Sequence, residues 1–249
     1  MKNFLIIFLV NLLIMCSSSS TVNSVDEGDT IIDPFKINSK LYPGINLGNA
    51  LEAPNEGDWG VTIKDEYLRI IKDAGFNSVR IPIRWSAHTE IDSPYTLDYS
   101  FLARVKHVID EALNNNLTVV INIHHFEEIF QNPEAQHDKF LSIWEQVSRI
   151  FKDYPESLVF EILNEPHGNF TAELWNEYFP EAIEVIRRTN PDRTLIVGTA
   201  GWGGISALNN LEIPDDEQNL IILWLLYWIS AYRRQKNMRE KLMGVLIID

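Results

Sequence analysis

Apolar residues fall in short runs along the chain, and runs with a strand period alternate with runs at helical spacing. Gly44 to Asn49 (Gly-Ile-Asn-Leu-Gly-Asn) predicts a short strand that ends in glycine and asparagine. Thr62 to Ala74 predicts an amphipathic helix, closed by Gly75 as its C-terminal cap. Ser78 to Ile83 is the second expected strand. Tyr99 to Asn114 is a helix whose Phe101, Leu102, Val105, Val108, Ile109, Ala112 and Leu113 recur at helical spacing. Thr118 to Ile123, Leu158 to Leu163 and Thr194 to Gly198 read as strands three, four and five, separated by helices over Lys139 to Phe151 and Glu173 to Arg188. Strand and helix thus alternate in units of roughly forty residues, the signature of βα repeats and a parallel sheet.

A doubly wound sheet and a closed barrel both fit that rhythm, and the polar residues separate them. Strand two carries Arg80 inside Val-Arg-Ile-Pro, strand three ends in His124 and His125, strand four ends in Asn164 and Glu165, and strand five leads into Trp202. An open sheet gathers its ligand at one switch point, whereas a barrel collects side chains from many strand ends around one mouth. No glycine-rich phosphate loop follows the first strand. The expected fold is therefore α/β, a (β/α)8 barrel that is incomplete, with about the first five to six units present.

The two ends of the chain depart from this pattern. Lys2, the apolar run Phe4 to Met15, then Cys16 and four serines have the form of a secretory signal over residues 1–20, so a secreted, extracellular protein is expected. Cys16 is the only cysteine, which excludes a disulfide framework and leaves lipid anchoring through it as an alternative. Residues 21–40 look like a polar tether and 41–220 like the barrel. Residues 221–249 are an apolar run followed by a basic one, with Arg233, Arg234, Lys236 and Arg239. This tail reads as an interfacial anchor, a buried strand and helix, or the out-of-frame end of an interrupted gene, the last being favoured. Its apolar part is too short for a membrane span.

Composition narrows the partners. With 45% hydrophobic residues and seven tryptophans the chain can bury a large core. A net charge of -14 argues against a nucleic-acid backbone or an anionic membrane as partner, and is compatible with a neutral ligand such as a sugar.

Glu165 is the pivotal candidate. It follows an apolar strand and precedes Pro166, which bars the ladder from continuing, so a carboxylate is held where parallel α/β proteins keep their chemistry. Arg80 is either a site residue or an internal partner of Glu161. Glu161 alternates away from Asn164 along the strand and reads as structural. His124 and His125 have Glu127 and Glu128 nearby, but the spacing lacks a third metal ligand and no metal is expected. Trp202, Trp59 and Trp85 are candidates for stacking on sugar rings.

Gly44 to Asn49, Val79-Arg80-Ile81-Pro82, Asn122-Ile123-His124-His125 and Asn164-Glu165-Pro166 together resemble glycoside hydrolase family five, in particular its cellulase (endo-β-1,4-glucanase) branch, over about Tyr42 to Leu220. The resemblance implies a barrel that cleaves β-linked glucan with retention of configuration and needs no cofactor. It makes Glu165 the acid/base and Asn164 the ligand of the sugar's 2-hydroxyl, with Arg80 and His124 beneath the reacting ring and His125 the second of a histidine pair. It also implies a nucleophilic glutamate ending a seventh strand. No such strand is found in this sequence, so a truncated chain with little activity is expected.

Overall fold

The computed structural model describes residues 34–215 and 217–223. The leader over 1–20 with Cys16, the tether before Pro34 and the tail from Trp224 onward lie outside the described residues. Six strands pair in parallel, in sequential order: β1 (Gly44–Asn46), β2 (Ser78–Ile81), β3 (Thr118–Asn122), β4 (Leu158–Glu161), β5 (Leu195–Gly198) and β6 (Leu220–Leu223). With the connecting helices α2 (Asp65–Asp73), α3 (Tyr99–Asn114), α5 (Pro133–Ile150) and α6 (Ala172–Arg187) this is an incomplete (β/α)8 barrel.

Four elements differ from expectation. Pro34–Lys40, taken as tether, forms helix α1, with proline at a first-turn position where its missing N–H costs nothing. Helix α5 begins six residues before Lys139, because Asn132 accepts from the Ala135 N–H and Pro133 opens the first turn. A short helix α4 (Glu127–Gln131) precedes it. Ile221–Leu223, assigned to the tail, are part of β6 and pair with Ile196–Gly198 of β5. Gly75 caps α2 as expected: at φ +90° it closes the last turn, and the following Phe76 N–H reaches the Ile71 carbonyl.

Register divides the sheet into two faces. Ile45, Val79, Val119 and Leu158 lie in one row and Ile81, Ile121, Phe160 and Leu195 in another, and all face the helices in the main core. The opposite face carries Asn46, Arg80, Val120, Asn122, Val159, Glu161 and Ile196. Its N-terminal half is apolar and is covered by α1, where Ile37 packs with Val120, Val159 and Ile196. Its C-terminal half is polar. One barrel interior is thus plugged at the bottom and functionalised at the top.

Three buried tryptophans fix the top. Trp85 Nε1 donates to the Asn122 carbonyl at 3.1 Å, Trp144 to Ile162 at 3.0 Å and Trp175 to Gly198 at 2.8 Å. Each indole lies in the helical layer and satisfies a carbonyl at or just past the end of β3, β4 or β5, where no further strand partner is available. Trp85 is fully buried. The expectation that it stacks on a sugar is therefore wrong, because no part of the ring is open to a ligand, and Phe101 packs against it with the planes near perpendicular.

At the opposite end Arg193 holds the strand entrances. Its guanidinium donates to the carbonyls of Phe151, Tyr154, Pro155 and Leu158 and to Asn190 Oδ1, with no carboxylate among its partners. Burial and the neighbouring Arg187 charge lower its pKa to about 10. It closes the C-terminal end of α5, where the helix dipole favours a cation. Arg193→Met is expected to lower unfolding free energy by about 3 kcal/mol, since it leaves several buried carbonyls without a donor. Arg193→Lys should recover less than half of that, with three donors in place of five. Urea midpoints of the three proteins check this.

Candidate active site

The polar half of the inner face is organised by one guanidinium. Arg80 on β2 makes a two-pronged ion pair with Glu161 on β4, Nε to Oε2 at 2.6 Å and one terminal nitrogen to Oε1 at 2.7 Å. Its remaining donors reach Asn46 Oδ1 at 3.0 Å and Asn164 Oδ1 at 2.8 Å. Glu161 is 2% exposed, so the pair is desolvated on the carboxylate side. Because Arg80 occupies the Asn164 carbonyl oxygen, the Asn164 amide nitrogen is left to donate elsewhere.

Strict alternation would point Glu161 and Asn164 to opposite faces. Instead Ile162 and Leu163 both bury in the main core, the alternation is interrupted once, and Asn164 returns to the inner face beside Glu161. The expectation that Glu161 turns away from Asn164 is corrected accordingly. Of the two readings of Arg80, the ion pair with Glu161 is present, and the same arginine also holds a site residue.

Glu165 is half-buried at the end of β4, with φ +46°. Desolvation pushes its carboxyl pKa above the ordinary value, against the lowering influence of Arg80, His167 and His125 and with the help of Glu161. A carboxyl of this kind keeps its proton to higher pH than a surface glutamate, as a general acid requires. With the folded pKa above the unfolded one, this group's contribution is full below the unfolded value and is lost as pH rises through the folded one.

His124, after β3, is held neutral. Burial, the Arg80 charge and His125 push its pKa well below the usual imidazole value. The Asn122 amide nitrogen lies 3.1 Å from Nδ1 and can only donate, which leaves the ring proton on Nε2. His125 sits edge-on to His124 at 4.6 Å and to Trp59 at 5.4 Å, with Nδ1 3.7 Å from Glu127. Trp202, after β5, is 51% exposed and Trp59 is 40% exposed, so both offer ring surface at this mouth.

Arg80, His124, His125, Asn164, Glu165 and Trp202 therefore all sit at the C-terminal end of one sheet. Four of the non-glycine residues with positive φ are found here, Asn49 after β1, His125 after β3, Glu165 after β4 and Trp202 after β5. Such clustering marks strain held by the surrounding structure at a working site. Sequence reasoning missed Asn46 and Glu52. Asn46 could have been found from register, opposite Arg80. The buried Glu52 carboxylate accepts the Asn49 and Ala50 N–H groups and so fixes the turn after β1.

A family model for cellulase (glycosyl hydrolase family 5) matches residues 42–232. Endoglucanase H of Acetivibrio thermocellus is 42% identical over 185 residues, which are 74% of this chain and 21% of that protein. Endoglucanase 1 of Ruminococcus albus is 33% identical over 220 residues, 78% of this chain and 53% of that protein. The chain thus spans from about a fifth to about half of these relatives. The crystal structure of endoglucanase Cel5A from the hyperthermophilic Thermotoga maritima superposes with a TM-score of 0.79 at 52% identity, covering 86% of this chain and 70% of that one. Structures of that protein hold mannotriose or cellobiose.

Arg80→Met removes the positive charge that lowers the Glu165 pKa and leaves Glu161 buried without its partner. Two outcomes are expected: the Glu165 carboxyl titrates at higher pH, and unfolding free energy falls by about 3 to 5 kcal/mol. Carbon-13 NMR of labelled glutamate carboxyls and chemical denaturation measure the two effects separately. An unchanged Glu165 titration would contradict the electrostatics described above.

Proposed function

The chain belongs to glycosyl hydrolase family 5, and from that premise we propose that it binds β-linked glucan in the cellulase manner and carries the acid/base side of a retaining hydrolase. The observation that carries this reading is Glu165, a half-buried carboxyl with a raised pKa, next to an asparagine whose amide is oriented by Arg80. In the complete retaining reaction Glu165 would give its proton to the glycosidic oxygen as that bond breaks and a second carboxylate bonds to the anomeric carbon. The Asn164 amide donates to the sugar's 2-hydroxyl, and neutral His124 offers its Nε2 proton without adding charge near the developing oxocarbenium ion. Trp202, His125 and Trp59 supply the rim that holds neighbouring sugar rings.

Retention requires a second carboxylate about 5 to 5.5 Å from the acid. Among the described residues the two other buried glutamates of this mouth are both engaged. Glu161 spends both oxygens on Arg80, and Glu52 spends both on backbone N–H groups. Neither is free to attack an anomeric carbon. Hydrolysis by this chain is therefore expected to lie on the order of 10⁴ below that of an enzyme with both groups, while glucan binding persists. Residues 1–20 fit export from the cell, where insoluble glucan is met, and N-terminal sequencing of protein from the culture medium tests that assignment.

The decisive experiment pairs a cellulose pull-down with an assay of reducing-sugar release from carboxymethyl-cellulose, with Glu165→Gln alongside. Binding without release supports the proposal. Release that Glu165→Gln abolishes would refute the missing-nucleophile part and leave the acid assignment standing. Failure to bind cellulose, cellohexaose or mannohexaose would refute the glycan assignment altogether.

A further inference from the structure

His167 lies between Glu165 and Trp202 and touches both. Its Nδ1 lies 2.6 Å from the Glu165 carbonyl oxygen, which can only accept, so Nδ1 carries a proton. Its ring lies flat against the Trp202 indole, with centroids 3.4 Å apart and planes at 15°. Its other side meets the Phe130 ring at 4.0 Å. The imidazole is therefore the middle layer of a three-ring stack running from α4, through the segment after β4, to the segment after β5.

The backbone around it is tied at the same points. The Trp202 N–H donates to the Pro166 carbonyl at 3.2 Å, and the Asn169 N–H donates to the Phe130 carbonyl at 2.9 Å. Between them Gly168 has φ +66°, and a Cβ there would stand 3.0 Å from the Phe130 carbonyl oxygen. Both Glu165 and Trp202 hold left-handed conformations that cost a non-glycine residue free energy. His167 contacts both.

We propose that His167 is a positioning residue that links the acid to the sugar platform: its N–H fixes the Glu165 backbone, and its ring backs the Trp202 indole so that the opposite indole face is presented to a β-linked glucose unit of the same chain on which Glu165 acts. The proposal rests on the roles given above to Glu165 and Trp202. Backing by a ring restricts the indole before the sugar arrives, which removes part of the ordering cost of binding. The charge of His167 also acts on the Glu165 carboxyl, together with Arg80, His125 and Glu161, which the substitutions below leave in place.

The test has a ligand-free part and a ligand part. In nitrogen-15 spectra the Trp202 indole peak is identified by its loss in Trp202→Phe, and the buried indoles of Trp85, Trp144 and Trp175 report whether the fold is intact. In His167→Ala the Trp202 peak is expected to move while the buried three stay, and the Glu165 carboxyl to titrate at higher pH. His167→Phe should restore the Trp202 peak by restoring the stack. It should leave Glu165 shifted, because the hydrogen bond and the charge are still missing.

If alanine disturbs the buried indoles, the phenylalanine variant decides. Glu165 shifted with Trp202 near its parent position supports the proposal, and both groups at parent values overturn it. In His167→Ala with the buried indoles in place, an unmoved Trp202 peak or an unmoved Glu165 titration overturns it. In the ligand part, cellohexaose affinity is expected to fall about tenfold in both His167→Ala and Trp202→Ala, and no further in the double variant. Additive losses would overturn the link. A parent protein whose Trp202 peak ignores cellohexaose would overturn the sugar-platform role, a failure distinguishable from that of the ligand-free coupling.

Discussion

A guanidinium on the inner face of a parallel sheet must find its counter-charge and its hydrogen-bond acceptors from neighbouring strands, because water has little access to it. Arg80 meets that demand with Glu161, Asn46 and Asn164. Three strands are thereby cross-linked through one side chain, and the link sits directly below Glu165. If the fork were lost, Glu161 would keep an uncompensated charge, Asn164 would lose its orientation, and Glu165 would lose a nearby cation. Position and hydrogen bonding at this mouth therefore share one cause, which also tempers the proton affinity that burial gives Glu165.

The rest of the molecule can be understood as support for that fork. A strand end has carbonyls with no further ladder partner, and in this chain three indole N–H groups take them up from the helical side. The indoles hold the strand tips at fixed heights, so side chains leaving β3, β4 and β5 converge. Below, Ile37 of α1 and the sheet residues Val120, Val159 and Ile196 fill the interior. That filling keeps water from reaching the ion pair from the N-terminal side, and exclusion of water strengthens every charge interaction above it.

Much of this was legible in the sequence because period and punctuation coincide. Tyr99–Asn114 matches its predicted span, and the strand cores of β2, β3 and β4 lie inside theirs. The positions of the candidate site residues past the strand ends were legible for the same reason, although β4 ends at Glu161, short of Glu165 and Pro166. Other features were not. The break in alternation at Ile162 and Leu163 has no pattern, because both residues are apolar and either face would accept them. Trp85, after β2, and Trp202, after β5, are the same residue type in like positions, and only burial beside Phe101 or exposure at the open mouth tells one from the other. Helix α1 was hidden because seven residues with one fully buried side chain give too short a period to read. At β6 the change in composition after Leu220 masked a strand whose pairing with β5 is ordinary.

A left-handed conformation at a non-glycine residue persists only where neighbours over-determine it. At Glu165 and Trp202 those neighbours include each other's segments, through the Trp202 to Pro166 hydrogen bond and the ring of His167. Two strained segments that restrain one another are a more rigid unit than two loops supported separately, because relaxing either one means breaking contacts in both. An acid that must meet a glycosidic oxygen within hydrogen-bond distance gains from that rigidity directly. In the proposed arrangement the sugar ring that delivers the oxygen rests on the same unit, so the distance between Trp202 and Glu165 is set by the protein's own contacts before any glucan is bound.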